Sequence, residues 1–78
     1  MKKMIIRLST INDVKLFVNM VSKYDFDVDL VSGRYAVDAK SIMGIFSLDL
    51  SKDIEMHIHC DDDKAKAFVD EVSRFEVK

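Results

Sequence analysis

The sequence has no proline, no tryptophan, two glycines and a single cysteine. One unpaired cysteine excludes an internal disulfide and suits a reducing compartment. Two isolated glycines, Gly33 and Gly44, exclude a glycine-rich phosphate loop. Long apolar runs are missing too: the longest are of the length of Leu16-Phe17-Val18. They fall far short of the ~20 residues that span a bilayer and of the ~7 in a signal-peptide core. Nor is there an excess of positive charge. With 12 Lys plus Arg against 14 Asp plus Glu and a formal net charge of -2, the chain has no basic field for nucleic acid or anionic lipid.

What remains is a short chain, 49% hydrophobic and 33% charged over 78 residues, apolar enough to order itself. A chain of this size buries only about 60% of the surface its unfolded form exposes, so a surface site is expected and a deep enzyme cavity is not. These features predict one soluble, cytoplasmic domain spanning residues 1–78, with neither nucleic-acid binding nor membrane insertion.

Hydrophobic periodicity orders the elements. Met4, Ile6 and Leu8 alternate with Ile5 and Arg7, predicting a first strand over Lys3–Leu8. Val14, Phe17, Val18 and Val21 then recur at helical spacing, and Thr10 with Asp13 forms a capping pair before a helix over Ile11–Lys23. From Asp25 to Leu30, Phe26, Val28 and Leu30 alternate with three aspartates, the pattern of a strand with one wet face. Ser32-Gly33 supplies a tight turn, and Tyr35 and Val37 begin the return strand. Ser41–Leu48 loses the alternation and places Ile42, Ile45 and Phe46 at helical spacing behind a serine N-cap. Ile54, Met56, Ile58 and Cys60 alternate with Glu55, His57 and His59 in a fourth strand, which puts Cys60 among the buried residues. Asp61–Asp63 opens a last helix whose stripe is Ala65, Phe68, Val69, Val72 and Phe75. The order is strand, helix, strand, strand, helix, strand, helix. Alternating strands leave one sheet face in water, which predicts an α+β open-faced two-layer sandwich: four antiparallel strands with all three helices on one face.

Few residues suggest chemistry. His57 and His59 share a strand face with Glu55 and are geometrically able to hold a metal, but three or four supported ligands are needed and a solvated strand face explains them more simply. Asp25, Asp27 and Asp29 fan into solvent and lack the glycine turn and distant glutamate of a calcium loop. No cofactor is implied.

The segment Lys40-Ser41-Ile42-Met43-Gly44-Ile45-Phe46-Ser47-Leu48 resembles the serine region of HPr, the phosphocarrier of the bacterial sugar phosphotransferase system. The similarity extends upstream to Ser22-Lys23-Tyr24-Asp25 and more loosely downstream to about Val72. The element order read from periodicity matches that family's open-faced sandwich. The resemblance implies two phosphorylation points. One is a histidine in a Gly-x-His-x-Arg-Pro loop before the first helix, which takes phosphate from enzyme I. Here no histidine precedes His57, and counting back without gaps puts Thr10 at the histidine, Asn12 at the arginine and Asp13 at the proline. The other is a regulatory serine, matched by Ser41. With the serine region kept and the histidine lost, the chain is most similar to the catabolite-repression HPr paralogue. That implies a non-catalytic regulatory protein, phosphorylatable at Ser41 by HPr kinase and docking partners such as a transcription factor through Lys40, Ile42, Met43 and Phe46. Met43 is the expected exposed member. A monomer or weak dimer is expected. The alternatives are a carrier using an unconventional residue, His57 or His59, and a metal-binding or structural domain on the same fold.

Overall fold

A strand that alternates strictly can bury only one face, and four such strands side by side leave the other face to water. The computed structural model, which describes residues 2–77, has this architecture. Its elements are β1 (Lys2–Ile6), α1 (Ile11–Ser22), β2 (Asp27–Ser32), β3 (Tyr35–Asp38), α2 (Ile42–Phe46), β4 (Ile54–His59) and α3 (Asp62–Val72), followed by a 3-10 turn at Ser73–Phe75. The strands form one sheet in the order β1-β4-β2-β3, with every neighbouring pair antiparallel. Met4 and Ile6, Val28 and Leu30, and Ile54, Met56 and Ile58 all point to the helices. There they join Val14, Phe17 and Val21 of α1, Ile45 of α2, and Ala65, Phe68 and Val72 of α3 in one core. Each of these side chains larger than alanine contributes about 1.5–3 kcal/mol relative to exposure, which makes this shared face the main source of stability.

The boundaries depart from the periodicity in ways that pairing explains. β1 runs Lys2–Ile6 in place of Lys3–Leu8, because register with β4 ends at Ile6 opposite Ile54. Leu8 stays fully buried beyond the strand end. β2 starts at Asp27, not Asp25: its last partner is His59, after which β4 turns away toward α3, so Asp25 and Phe26 have nothing to pair with. Cys60 falls in that same bend and is only half-buried, against the expectation of a fully buried core residue. α1 ends at Ser22, one residue early, with Lys23 as its C-cap. α2 is five residues long, shorter than the Ser41–Leu48 pattern suggests, although Leu48 beyond it is buried. In the β2–β3 turn, Gly33 has φ +60, the left-handed conformation glycine tolerates, and it occupies the first of two turn positions between Ser32 and Tyr35.

Helix α1 is tied to α3 by a polar contact at the rim of the core. The Tyr24 hydroxyl donates to Glu71 Oε1, while Lys23 Nζ bonds Glu71 Oε2 at 2.8 Å. The Tyr24 ring sits 5.3 Å from Phe26 and 5.1 Å from Phe68, in an aromatic group that seals this end. The hydrogen bond to Glu71, with burial and the carboxylate's charge behind it, raises the Tyr24 pKa to about 12. Lys23, and after it Tyr24, hold the Glu71 carboxyl below its ordinary value. A tyrosine pKa raised from 10.0 to about 12 adds stability that is complete below pH 10 and lost as pH rises through 12. The spectrophotometric titration of a Tyr35→Phe variant, in which Tyr24 is the remaining phenol, should therefore have its midpoint near 12, and Glu71→Gln should lower it; a midpoint near 10 in the first variant would refute the contact.

Candidate functional site

Three helices begin on this fold, and each start is closed by a side chain of its own. A helix leaves its first backbone N–H groups without intrahelical partners and carries a partial positive charge there, so whatever occupies that end sets which anions it accepts. At α1 the occupant is a carboxylate. Thr10 is the N-cap and its hydroxyl accepts from the Asp13 N–H at 3.1 Å. Asp13 Oδ2 reaches back to accept the Thr10 N–H at 3.3 Å and the Ser9 N–H at 3.1 Å. The capping pair read from the sequence is thus a complete capping box with one extra donor, and it sets the negative charge of Asp13 at this helix end. Asn12 is exposed in the first turn and brings no positive charge. Arg7, the nearby cation in sequence, is turned toward the α2–β4 loop, where it donates to the Ser51 carbonyl and pairs with Asp53 at 3.5 Å.

The start of α3 is similar in sign. Asp61 caps it, accepting from the Lys64 N–H at 2.9 Å, and Asp62 and Asp63 add negative charge in the first turn.

At α2 the arrangement differs. Ser41 is the N-cap, its Oγ accepting from the Gly44 N–H at 3.2 Å and its carbonyl from the Ile45 N–H at 3.0 Å. No acidic residue stands in the first turn, and Ser41 is exposed. A hydroxyl in that position is open to solvent at a helix end with no carboxylate in its first turn. Gly44 permits the close fit: a Cβ there would lie 3.2 Å from Ser41 Oγ and 3.3 Å from Val37 Cβ.

The segment leading into α2 is fixed by Asp38 and Lys40. The Asp38 carboxylate accepts the Lys40 N–H at 2.8 Å and its carbonyl accepts the Ser41 N–H at 3.0 Å. Lys40 Nζ donates to the Tyr24 carbonyl at 2.9 Å, joining the end of α1 to the start of α2. The resemblance implies a partner-binding role for Lys40; its ammonium is engaged within the chain. No periodicity signals that bond, since it joins residues 16 apart across a strand pair.

The apolar residues of α2 divide by depth. Ile45 is buried and Ile42 half-buried, whereas Met43 is 75% and Phe46 39% exposed. Met43 is thus exposed, as expected. Helix α1, which packs beside α2, adds Ile11 at 62% and Leu16 at 41% exposure. Exposed large apolar side chains on adjoining helices are the usual material of protein docking surfaces.

His57 and His59 lie on the wet face of β4. His57 Nε2 meets Glu55 Oε1 at 2.7 Å and His59 Nε2 meets Asp29 Oδ2 at 2.8 Å, so each imidazole has a carboxylate partner of its own. Among the described residues, no group of three or more His, Cys, Asp or Glu side chains is arranged to hold a metal ion. Burial and the neighbouring Asp61 charge raise the Cys60 pKa, which disfavours a thiolate. No helix among the described residues is long and apolar enough to cross a membrane.

Comparison with known proteins places this geometry. A family model described as the PTS HPr component phosphorylation site matches residues 12–76, a span that begins just after Thr10. Among solved structures, HPr-C-His from Thermoanaerobacter tengcongensis is similar at 30% identity and a TM-score of 0.74, over 94% of this chain and 92% of that one. The phosphocarrier protein HPr from Bacillus anthracis str. Ames shares the fold at 22% identity and a TM-score of 0.71, over 95% of each chain. A family match across most of the chain and an HPr fold along nearly its whole length lead to one assignment: this chain belongs to the PTS HPr family.

Proposed function

We propose that this chain is a regulatory, protein-binding member of the HPr family, switched by phosphorylation at Ser41, and that it does not relay phosphate through the loop between β1 and α1. The observation that supports this reading best is the Asp13 carboxylate bonded to the Ser9 and Thr10 N–H groups. A phosphohistidine in that loop needs an imidazole nucleophile and a positive surround to hold the phosphoryl charge. Thr10 offers a hydroxyl already engaged as an N-cap, and Asp13 puts a resident negative charge among the donors a phosphoryl group would use. Attack by Thr10 Oγ also lacks a base, since Asp13 is spent on the backbone.

Ser41 suits the opposite role. A phosphate esterified on its exposed Oγ adds a charge of about -1.5 to -2 at a helix start that has no acidic residue, a placement worth roughly 0.3–1 kcal/mol through the helix dipole. Because Lys40 Nζ is held by the Tyr24 carbonyl, the new charge is not neutralised by its sequence neighbour and remains available to a basic group on a partner. Met43 and Phe46 supply the apolar contact beside it, with Ile42 and Lys40 setting their position. The partners this implies are HPr kinase and a transcription factor of carbon regulation, recognising respectively the free and the modified serine.

Two assays test the reading. Incubated with phosphoenolpyruvate and enzyme I, the chain should take up no phosphate; stoichiometric transfer would overturn the proposal. Incubated with HPr kinase and ATP, it should gain one phosphate, mapped by mass spectrometry to Ser41 and absent from Ser41→Ala, a variant whose lost cap costs about 0.5–2 kcal/mol and so leaves it folded. Phosphate on another residue, or none at all, would contradict the assignment of Ser41.

A further inference from the structure

The turn between β2 and β3 and the loop between α2 and β4 line a common cleft of about 360 Å³, at the small end of the range for small-molecule sites. Each side brings one cation, Arg34 from the turn and Lys52 from the loop. Both are exposed, and neither side chain forms an ion pair among the described residues. The cleft beside α3 also holds two cations, Lys2 and Lys66, but there Asp62, Asp63 and Asp70 outnumber them. In the first cleft the acidic lining residue is Asp49, and its Oδ1 already accepts both the N–H and the hydroxyl of Ser51. The balance of charge there is positive. The N–H groups of Gly33 and Arg34, at the tip of the turn, make no backbone hydrogen bond among the described residues and are further donors beside it. Leu48, only 7% exposed, supplies an apolar base. Tyr35 lines the same cleft at 72% exposure and packs against no other aromatic ring, so a ring face is left in water next to the two cations.

We propose that this cleft binds a nucleoside monophosphate, its phosphate held between Arg34 and Lys52 and its base laid on the Tyr35 ring. The guanidinium matches two phosphate oxygens at once and the ammonium adds a point charge from the other side. Stacking on tyrosine accepts any base, since every base has a π face, so the site selects for a phosphate joined to an aromatic ring and not for one base. A longer nucleic acid is disfavoured by the rest of the surface. The chain carries a net charge of -2, and Asp27, Asp29 and Asp38 stand on the wet face of the same hairpin, so a polyanion running past the cleft meets repulsion. An open cleft of this size holds its ligand weakly, with a dissociation constant on the order of 1 mM.

Titrating the ¹⁵N-labelled chain with adenosine monophosphate tests the site. The amides of Gly33, Arg34, Tyr35 and Leu48 should shift together and saturate with one dissociation constant. Arg34→Gln, Lys52→Gln and Tyr35→Leu should each weaken binding about tenfold, a dispersed amide spectrum verifying that each variant is folded. Lys66→Gln, which removes the same charge beside α3, should leave binding unchanged. Inorganic phosphate and adenosine, each carrying half of the ligand's chemistry, should bind at least about tenfold more weakly than the monophosphate. No saturable response at those four amides, inorganic phosphate binding as tightly as the nucleotide, or Arg34→Gln and Lys52→Gln variants that bind like the native chain would each overturn the proposal.

Discussion

Everything in this molecule depends on a sheet that is apolar on one face only. The charged residues of β2 and β4, namely Asp27, Asp29, Glu55, His57 and His59, cannot be buried without partners, so all apolar packing must occur on the opposite face. Helices α1, α2 and α3 are gathered there because no other surface can cover Val28, Leu30, Ile54, Met56 and Ile58. Fully burying those side chains leaves the helix ends and their connecting loops at the rim of the sandwich.

The chemistry then follows from how each helix start is closed. All three use a side-chain oxygen, from Thr10, Ser41 and Asp61. Two of the three also bring carboxylates into the cap or first turn, which satisfies the helix end and repels further negative charge. Only α2 is capped by a hydroxyl with no acidic residue in its first turn. One fold therefore carries a helix start with a carboxylate in its capping box and another with none in its first turn.

Much of this was legible in the sequence. Period-two alternation in β2 and β4 and the helical stripes of α1 and α3 identified the sandwich, and Thr10 with Asp13 identified the closed cap, because these are local patterns set by backbone geometry. What stayed hidden was non-local. Glu71 accepts from Lys23 and Tyr24 nearly fifty residues away, and Lys40 reaches the Tyr24 carbonyl across the β2–β3 hairpin. The true start of β2 depends on where β4 runs out of partners, and the covering of the β1 edge depends on residues near the end of the chain. Cys60 was placed in the core by its period and left half-buried by the bend that follows His59.

The Asp13 carboxylate holds the backbone N–H groups that lead into α1. Titrating the ¹⁵N-labelled chain with inorganic phosphate while following the backbone amide shifts tests it most directly. With the Ser9 and Thr10 N–H groups bonded to Asp13 and the Asp13 N–H bonded to Thr10, none of the three resonances should show a saturable shift. A saturable response shared by those three amides would contradict the account, because it would mean that this helix end still accepts an external phosphate.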